Sequence, residues 1–304
     1  MTNQPHDQFA KQYLEGLLAP LGEVKISLEV TSEVRQVDVY FSPSSTPPPS
    51  PPNLGLLGQM VATPCSLEPF RNQPSNIEIR NCMLKLYSLH NQLQQKAKRN
   101  NCVLAEAELP QLWIITPSAS DRIIESFSFS RRDNWEQGVY FLGVAPKTAL
   151  IAVNRLLETP ETLWLRILGK GKIQERAILE LVTLASNNPL RIHALEQVAV
   201  WRTNLSMQTK RTTEEQELMM TLSPAYLKWK EEVRQEGLQE GLQQGLQQEQ
   251  RKMLEMMLTV RFGTLDERVT QICDRLLQLP PQEAVSLTMQ LTCEELLSRF
   301  GGRE

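Results

Sequence analysis

Three short apolar runs, LWIIT at 112–116, GVYFLG at 138–143 and ALIAV at 149–153, limit the fold more than any other feature of the chain. Each is shorter than an ordinary buried helix, and each is rich in β-branched or aromatic residues that suit a pleated surface. All three are therefore expected to be buried strands. Two more runs, EVKISLEV at 23–30 and VRQVDVYF at 34–41, alternate apolar and polar residues. With only TSE between them, they read as a hairpin. Residues 65–68 regain strand character, although Pro69 restricts that strand to a sheet edge or to a strand end.

Helices are expected on either side of these strands. Phe9, Tyr13, Leu14, Leu17 and Leu18 recur at helical spacing before Pro20. A second helix is expected from Asn76, with Ser75 as N-cap and Glu78 three residues later completing a capping box, and basic Lys96, Lys98 and Arg99 in its last turns. A helix, a hairpin and a helix between strands make an α/β core with a mixed sheet. The segment SPSSTPPPSPPN at 42–53 carries six prolines, so it is expected to be a solvated loop.

Beyond Pro160 every periodic segment is helical. Residues 160–205 are expected to pack on the core, 224–262 to form one long helix, and 265–300 three short helices bounded by Thr264 and Pro280-Pro281. The expected division is an α/β domain at 1–205 with its helical extension at 160–205, a helical linker at 206–250, and a small helical domain at 251–304. Within the long helix a four-residue repeat places Gly237, Gly241 and Gly245 on a narrow ridge, followed by Leu238, Leu242 and Leu246. Interior glycines cost about 1 kcal/mol each against alanine. Homo-oligomerisation through 224–262 is one reading of that cost, and a solvated helical spacer is the other.

A formal net charge of −3 argues against a protein that coats polyanions, so any DNA contact must be local. No run of 18 apolar residues exists and the first residues lack an apolar centre, so no membrane partner and a cytoplasmic location are expected. The five cysteines include no CxxC pair, and the three histidines are scattered, so neither set nominates a metal site.

Asp38 stands where a neutral residue would be less costly in a strand. Alternation places it with Gln36 and Tyr40, opposite in sense to core-facing Val37, Val39 and Phe41. If strands 34–41 and 65–68 are neighbours, Asp38 and Glu68 converge, and two convergent carboxylates suit a hard divalent cation such as Mg²⁺ or Mn²⁺. The bland alternative pairs Asp38 with Arg35 or Lys25.

The order helix, strand, Asp-bearing strand, Glu-bearing strand, helix resembles the PD-(D/E)XK nuclease superfamily, and within it the bacterial Rpn-type recombination-promoting nuclease and transposase-like family. The matching stretches are HDQFAKQYL with Asp7 and Lys11, RQVDVYF with Asp38, and SLEPF with Glu68. The C-terminal helices and the glycine repeat are similar to segments attached to such proteins. The resemblance implies a restriction-endonuclease-like mixed sheet flanked by helices, a Mg²⁺- or Mn²⁺-dependent DNA endonuclease or a degenerate relative that no longer cuts, and metal ligation by Asp38 and Glu68. The family's final motif has lysine or glutamine two residues after the glutamate, whereas Phe70 stands here. Arg71 supplies charge but no base, and Lys85 on the next helix is the candidate to take the lysine's place. The rival reading is a non-enzymatic scaffold that assembles through its helical tail.

Overall fold

The computed structural model describes residues 5–29, 36–46, 48–207, 213–263 and 267–300. The TSE turn, Arg35 and Thr264 lie outside them. The chain divides into two compact units, Met1–Trp229 and Lys230–Glu304.

The first unit is built on a six-stranded mixed sheet of order β1-β2-β3-β4-β6-β5. Its strands are β1 (Gly22–Glu29), β2 (Gln36–Pro43), β3 (Cys65–Pro69), β4 (Gln111–Thr116), β5 (Val139–Phe141) and β6 (Thr148–Ala152). The pairs β1–β2, β2–β3 and β5–β6 are antiparallel, and β3–β4 and β4–β6 are parallel. The short apolar runs thus form the sheet's buried middle: β4 and β6 are almost wholly buried because helices cover both faces.

One face carries α1 (Pro5–Leu18), α2 (Gly55–Met60), α5 (Leu163–Arg166), α6 (Lys172–Thr183) and α7 (Pro189–Ser206) over a core that includes Val39, Phe41, Leu67, Trp113 and Ile151. The other face carries α3 (Asn76–Arg99) and α4 (Asp121–Ser126), whose Ile79, Cys82, Leu86 and Ile123 pack on Leu112, Ile114 and Leu150. The helical extension at 160–205 therefore completes the core. The α3 capping box forms as the sequence indicates: Ser75 Oγ accepts from Glu78 N, and Glu78 Oε2 accepts from Ser75 N at 2.7 Å.

One expectation is met in its second form and one needs correction. β3 is a central strand between β2 and β4, with Pro69 at the strand end that the sequence allows. Pro69 is tolerated there because it is the last residue, and Phe70 N resumes hydrogen bonding to Ile115 O at 2.7 Å. Alternation along β2 breaks at Asp38. Val39 and Phe41 face α1, but Val37 packs on Leu89 of α3. The cause lies across the ladder, where pairing steps from Ile26↔Val39 to Leu28↔Val37 over Ser27, whose φ of 51° is left-handed.

Between β2 and α2 the proline-rich residues 44–54 form no described helix or strand. The segment is pinned at its far end, where Trp164 Nε1 donates to Asn53 O at 3.2 Å. Gly55 there has φ of 51°, and a Cβ would collide with the Glu161 backbone, so only glycine fits.

In the second unit, the end of α8 (Thr213–Phe262) packs Leu254 and Leu258 against α9 (Glu267–Leu276), α10 (Pro281–Gln290) and α11 (Cys293–Phe300), with Ile272, Leu276, Ala284 and Leu296 as the core. The long helix begins at Thr213, earlier than the periodicity from 224 indicates. Pro281 opens α10 at its first turn, where a missing N–H costs nothing. No helix among the described residues is long and apolar enough to cross a membrane.

Candidate active site

Asp38 and Glu68 are cross-strand neighbours. The β2–β3 register pairs Val39 with Leu67 and Tyr40 with Ser66, so the next step of the ladder sets Asp38 against Glu68. They meet where the ladder ends, inside the sheet rather than at its lateral edge, because both strands are interior. Glu68 Oε1 accepts a hydrogen bond from the Asp38 backbone N at 3.3 Å.

Each carboxylate has a lysine from a different face. Lys85 Nζ lies 2.7 Å from Glu68 Oε2. On α3 it follows Cys82 by three residues and precedes Leu86, so it flanks the buried stripe and its stem can run along apolar surface to reach the carboxylate. Lys11 Nζ lies 3.0 Å from Asp38 Oδ1 and 3.1 Å from Asp7 Oδ2, one turn back on α1, and donates to Ser27 Oγ at 3.4 Å. Asp38 therefore has Lys11 as its partner, while Lys25 pairs with Glu23 at 3.0 Å.

Glu68 is 1 % exposed. Burial first, and then the negative charge of Asp38, raise its pKa to about 8 against the opposing pull of Lys85. Burial pulls the two ammonium groups down, but their carboxylate partners outweigh it and hold both Lys85 and Lys11 above the ordinary lysine value. Cys82 Sγ lies 3.8 Å from Glu68 Oε2, and burial followed by the Glu68 charge pushes its thiol well up. It is an inert neighbour that sequence inspection overlooked, although its spacing of three from Lys85 was the available signal. Phe70 packs with the α3-side core, and Arg71 lies over Trp201 of α7 with its guanidinium carbon 5.6 Å from the ring centroid.

The arrangement sets two carboxylates at the end of the β2–β3 ladder, with Lys11 of α1 beside Asp38 and Lys85 of α3 beside Glu68. Among the described residues no group of three His, Cys, Asp or Glu side chains forms a metal cage. Comparison of the chain with protein-family models, with curated proteins and with solved structures gives no match.

Proposed function

We propose that the chain is a metal-dependent phosphodiester hydrolase acting on DNA, of the PD-(D/E)XK and Rpn-type kind. The observation that carries this reading is the direct opposition of Asp38 and Glu68 on adjacent strands, with Lys85 2.7 Å from Glu68 although Phe70 occupies the motif position. The residues fit Mg²⁺ or Mn²⁺, since two carboxylates leave coordination positions to water and a substrate phosphate. When bound, such an ion activates water and stabilises the charge that grows on a phosphoryl oxygen.

The chain's own groups divide the remaining work. Lys85 keeps its proton at neutral pH because its pKa is raised, so it orients Glu68 and offsets negative charge instead of acting as a base. Lys11 holds Asp38 from the opposite face, and the Asp38 N–H holds Glu68. Glu68 ligates an ion only when ionised and its pKa in the ion-free chain is raised, so metal affinity should rise with pH.

The test is cleavage of supercoiled plasmid with Mg²⁺ or Mn²⁺ by the native chain, Asp38→Ala and Glu68→Ala. Loss of nicking in both variants supports the reading, and equal nicking in all three removes it.

A second reading, a non-enzymatic scaffold that self-associates through the long helix, is favoured by one observation. A Cβ added at Gly237, Gly241 or Gly245 would meet no described atom beyond its own helix within 4 Å, and Leu238, Leu242 and Leu246 beside them are 65, 65 and 56 % exposed.

A further inference from the structure

Six apolar side chains line one side of α8 within the second unit. Leu238, Leu242 and Leu246 of the repeat are followed by Met253, Met256 and Val260, and each of the six is more than half exposed. At about 100° per residue they fall within about 80° of arc, in a stripe about 33 Å long. Leu254 and Leu258, which pack on α9, α10 and α11, lie about 120° and 160° round from the centre of the stripe, so the small bundle leaves it open. A stripe of that length and one helix wide covers about 330 Å², a size at which exposed apolar surface marks a contact.

The stripe matches itself when reversed. Leu246, Leu242 and Leu238 stand 3, 7 and 11 residues before Glu249, and Met253, Met256 and Val260 stand 4, 7 and 11 after it. A second copy running antiparallel about a two-fold axis at Glu249 therefore sets Leu238 on Val260, Leu242 on Met256 and Leu246 on Met253, and repeats the three pairs across the axis. Charge agrees with this partner. Glu249 and Lys252 have no ion pair among the described residues, whereas Arg251 is held by Glu255 at 2.9 Å and by Asp274 at 3.0 Å. In the antiparallel pair, Glu249 of each copy lies less than one turn from Lys252 of the other, and Gly245 leaves that flank open to the lysine stem.

Orientation has a second support. Gln250, Met253, Leu254, Leu276, Leu277 and Ala284 line an apolar hollow beside the stripe. Level with it an antiparallel copy brings Leu246, whereas a parallel copy brings its own Gln250 and Met253. Antiparallel packing also lays the glycine-weakened half of each helix on the half that the other copy's bundle braces.

We infer that α8 makes an antiparallel two-helix contact between two copies of this chain, the 238–246 half of one seated on the 253–260 half of the other. This rests on the self-association in the scaffold reading, and it holds whether or not the acid pair cuts. A contact of this size gives a reversible dimer.

The experiment is sedimentation equilibrium of the full chain over a concentration series, for the native protein, Leu242→Gln, Met256→Gln and Val233→Gln. It is joined to disulfide cross-linking of Leu246→Cys mixed with Met253→Cys. Glutamine suits a helix, and Val233 is exposed on the opposite side from the stripe. Either stripe substitution acts twice across the axis and should weaken the dimer at least about ten-fold, while Val233→Gln leaves it unchanged. The two cysteine chains should cross-link to each other, and neither to itself beyond the level that the native cysteines give. A native chain that stays monomeric at the highest concentration overturns this inference and the scaffold reading together. A dimer indifferent to the stripe substitutions, one weakened equally by Val233→Gln, or cross-links between identical positions overturn the antiparallel stripe and leave the scaffold reading standing.

Discussion

Replacing Lys85 with methionine keeps the apolar stem along α3 but removes the cation 2.7 Å from a carboxylate that is 1 % exposed. The stability cost should depend on pH in a way that follows from the Glu68 pKa of about 8. A buried acid whose folded pKa is raised contributes stability that is present below its unfolded pKa and is lost as pH rises to the folded value. In the native chain that loss ends near pH 8, because above it Glu68 is ionised in both states. Without Lys85 the folded pKa moves higher, so the loss continues. Below pH 8 the substitution removes one charge-assisted hydrogen bond, about 1.5–3 kcal/mol. From pH 8 to 9.5 the penalty should grow by a further ~2 kcal/mol, at ~1.4 kcal/mol per pH unit. The native Lys85 titrates above this window, its pKa being raised beyond the ordinary lysine value. Urea unfolding of both proteins at pH 6.5 and pH 9.5 measures the difference. An equal cost at the two pH values would mean that Glu68 is ionised throughout, and the electrostatic account of the site would be wrong.

Lys11→Met should tighten Mn²⁺ binding in calorimetry, since the ion no longer competes with an ammonium 3.0 Å from Asp38; unchanged heat would separate Asp38 from the metal. Ser75→Ala removes the α3 cap and should lower stability by about 1 kcal/mol in thermal or urea melts, without moving Lys85 relative to Glu68. Arg166 is fully buried and pairs with Glu180 at 2.7 Å, so Glu180→Ala should cost about 3 kcal/mol by leaving a buried guanidinium with only neutral partners. Alanine at Gly237, Gly241 and Gly245 meets open space in the isolated chain and should raise helix content. If sedimentation shows that the same substitutions dissolve an oligomer, the ridge is a contact surface, and the scaffold reading gains at the expense of a free spacer.

The strands Gln111–Thr116, Val139–Phe141 and Thr148–Ala152 were legible from the runs at 112–116, 138–143 and 149–153 because an apolar run of that length has few other uses. The centrality of Cys65–Pro69 was not, since serine, glutamate and proline make it read as peripheral. Its burial follows from α3, which carries the chain over the sheet to a parallel β4, and that is a long-range fact. Six-residue α2 and α4 are too short to show a period. The displacement of Val37 arises from a left-handed serine on the partner strand, a conformation that the sequence does not announce. At the site, Asp38 and Glu68 were nameable from strand alternation and Lys85 only through the resemblance, as the stand-in for the motif lysine, while the pairing of Asp38 with Lys11 needed the seat of α1 on the sheet.

The acid pair is held by ladder register, Val39 with Leu67, and owes nothing to the proline-bearing stretch that joins the two strands. Residues 45–46 and 48–52 lie between Ser44, whose N donates to Leu21 O, and the Asn53 anchor, so that stretch is a natural port for engineering. A tag, a fluorophore or a fresh pair of chain ends placed there would leave both carboxylates where they are.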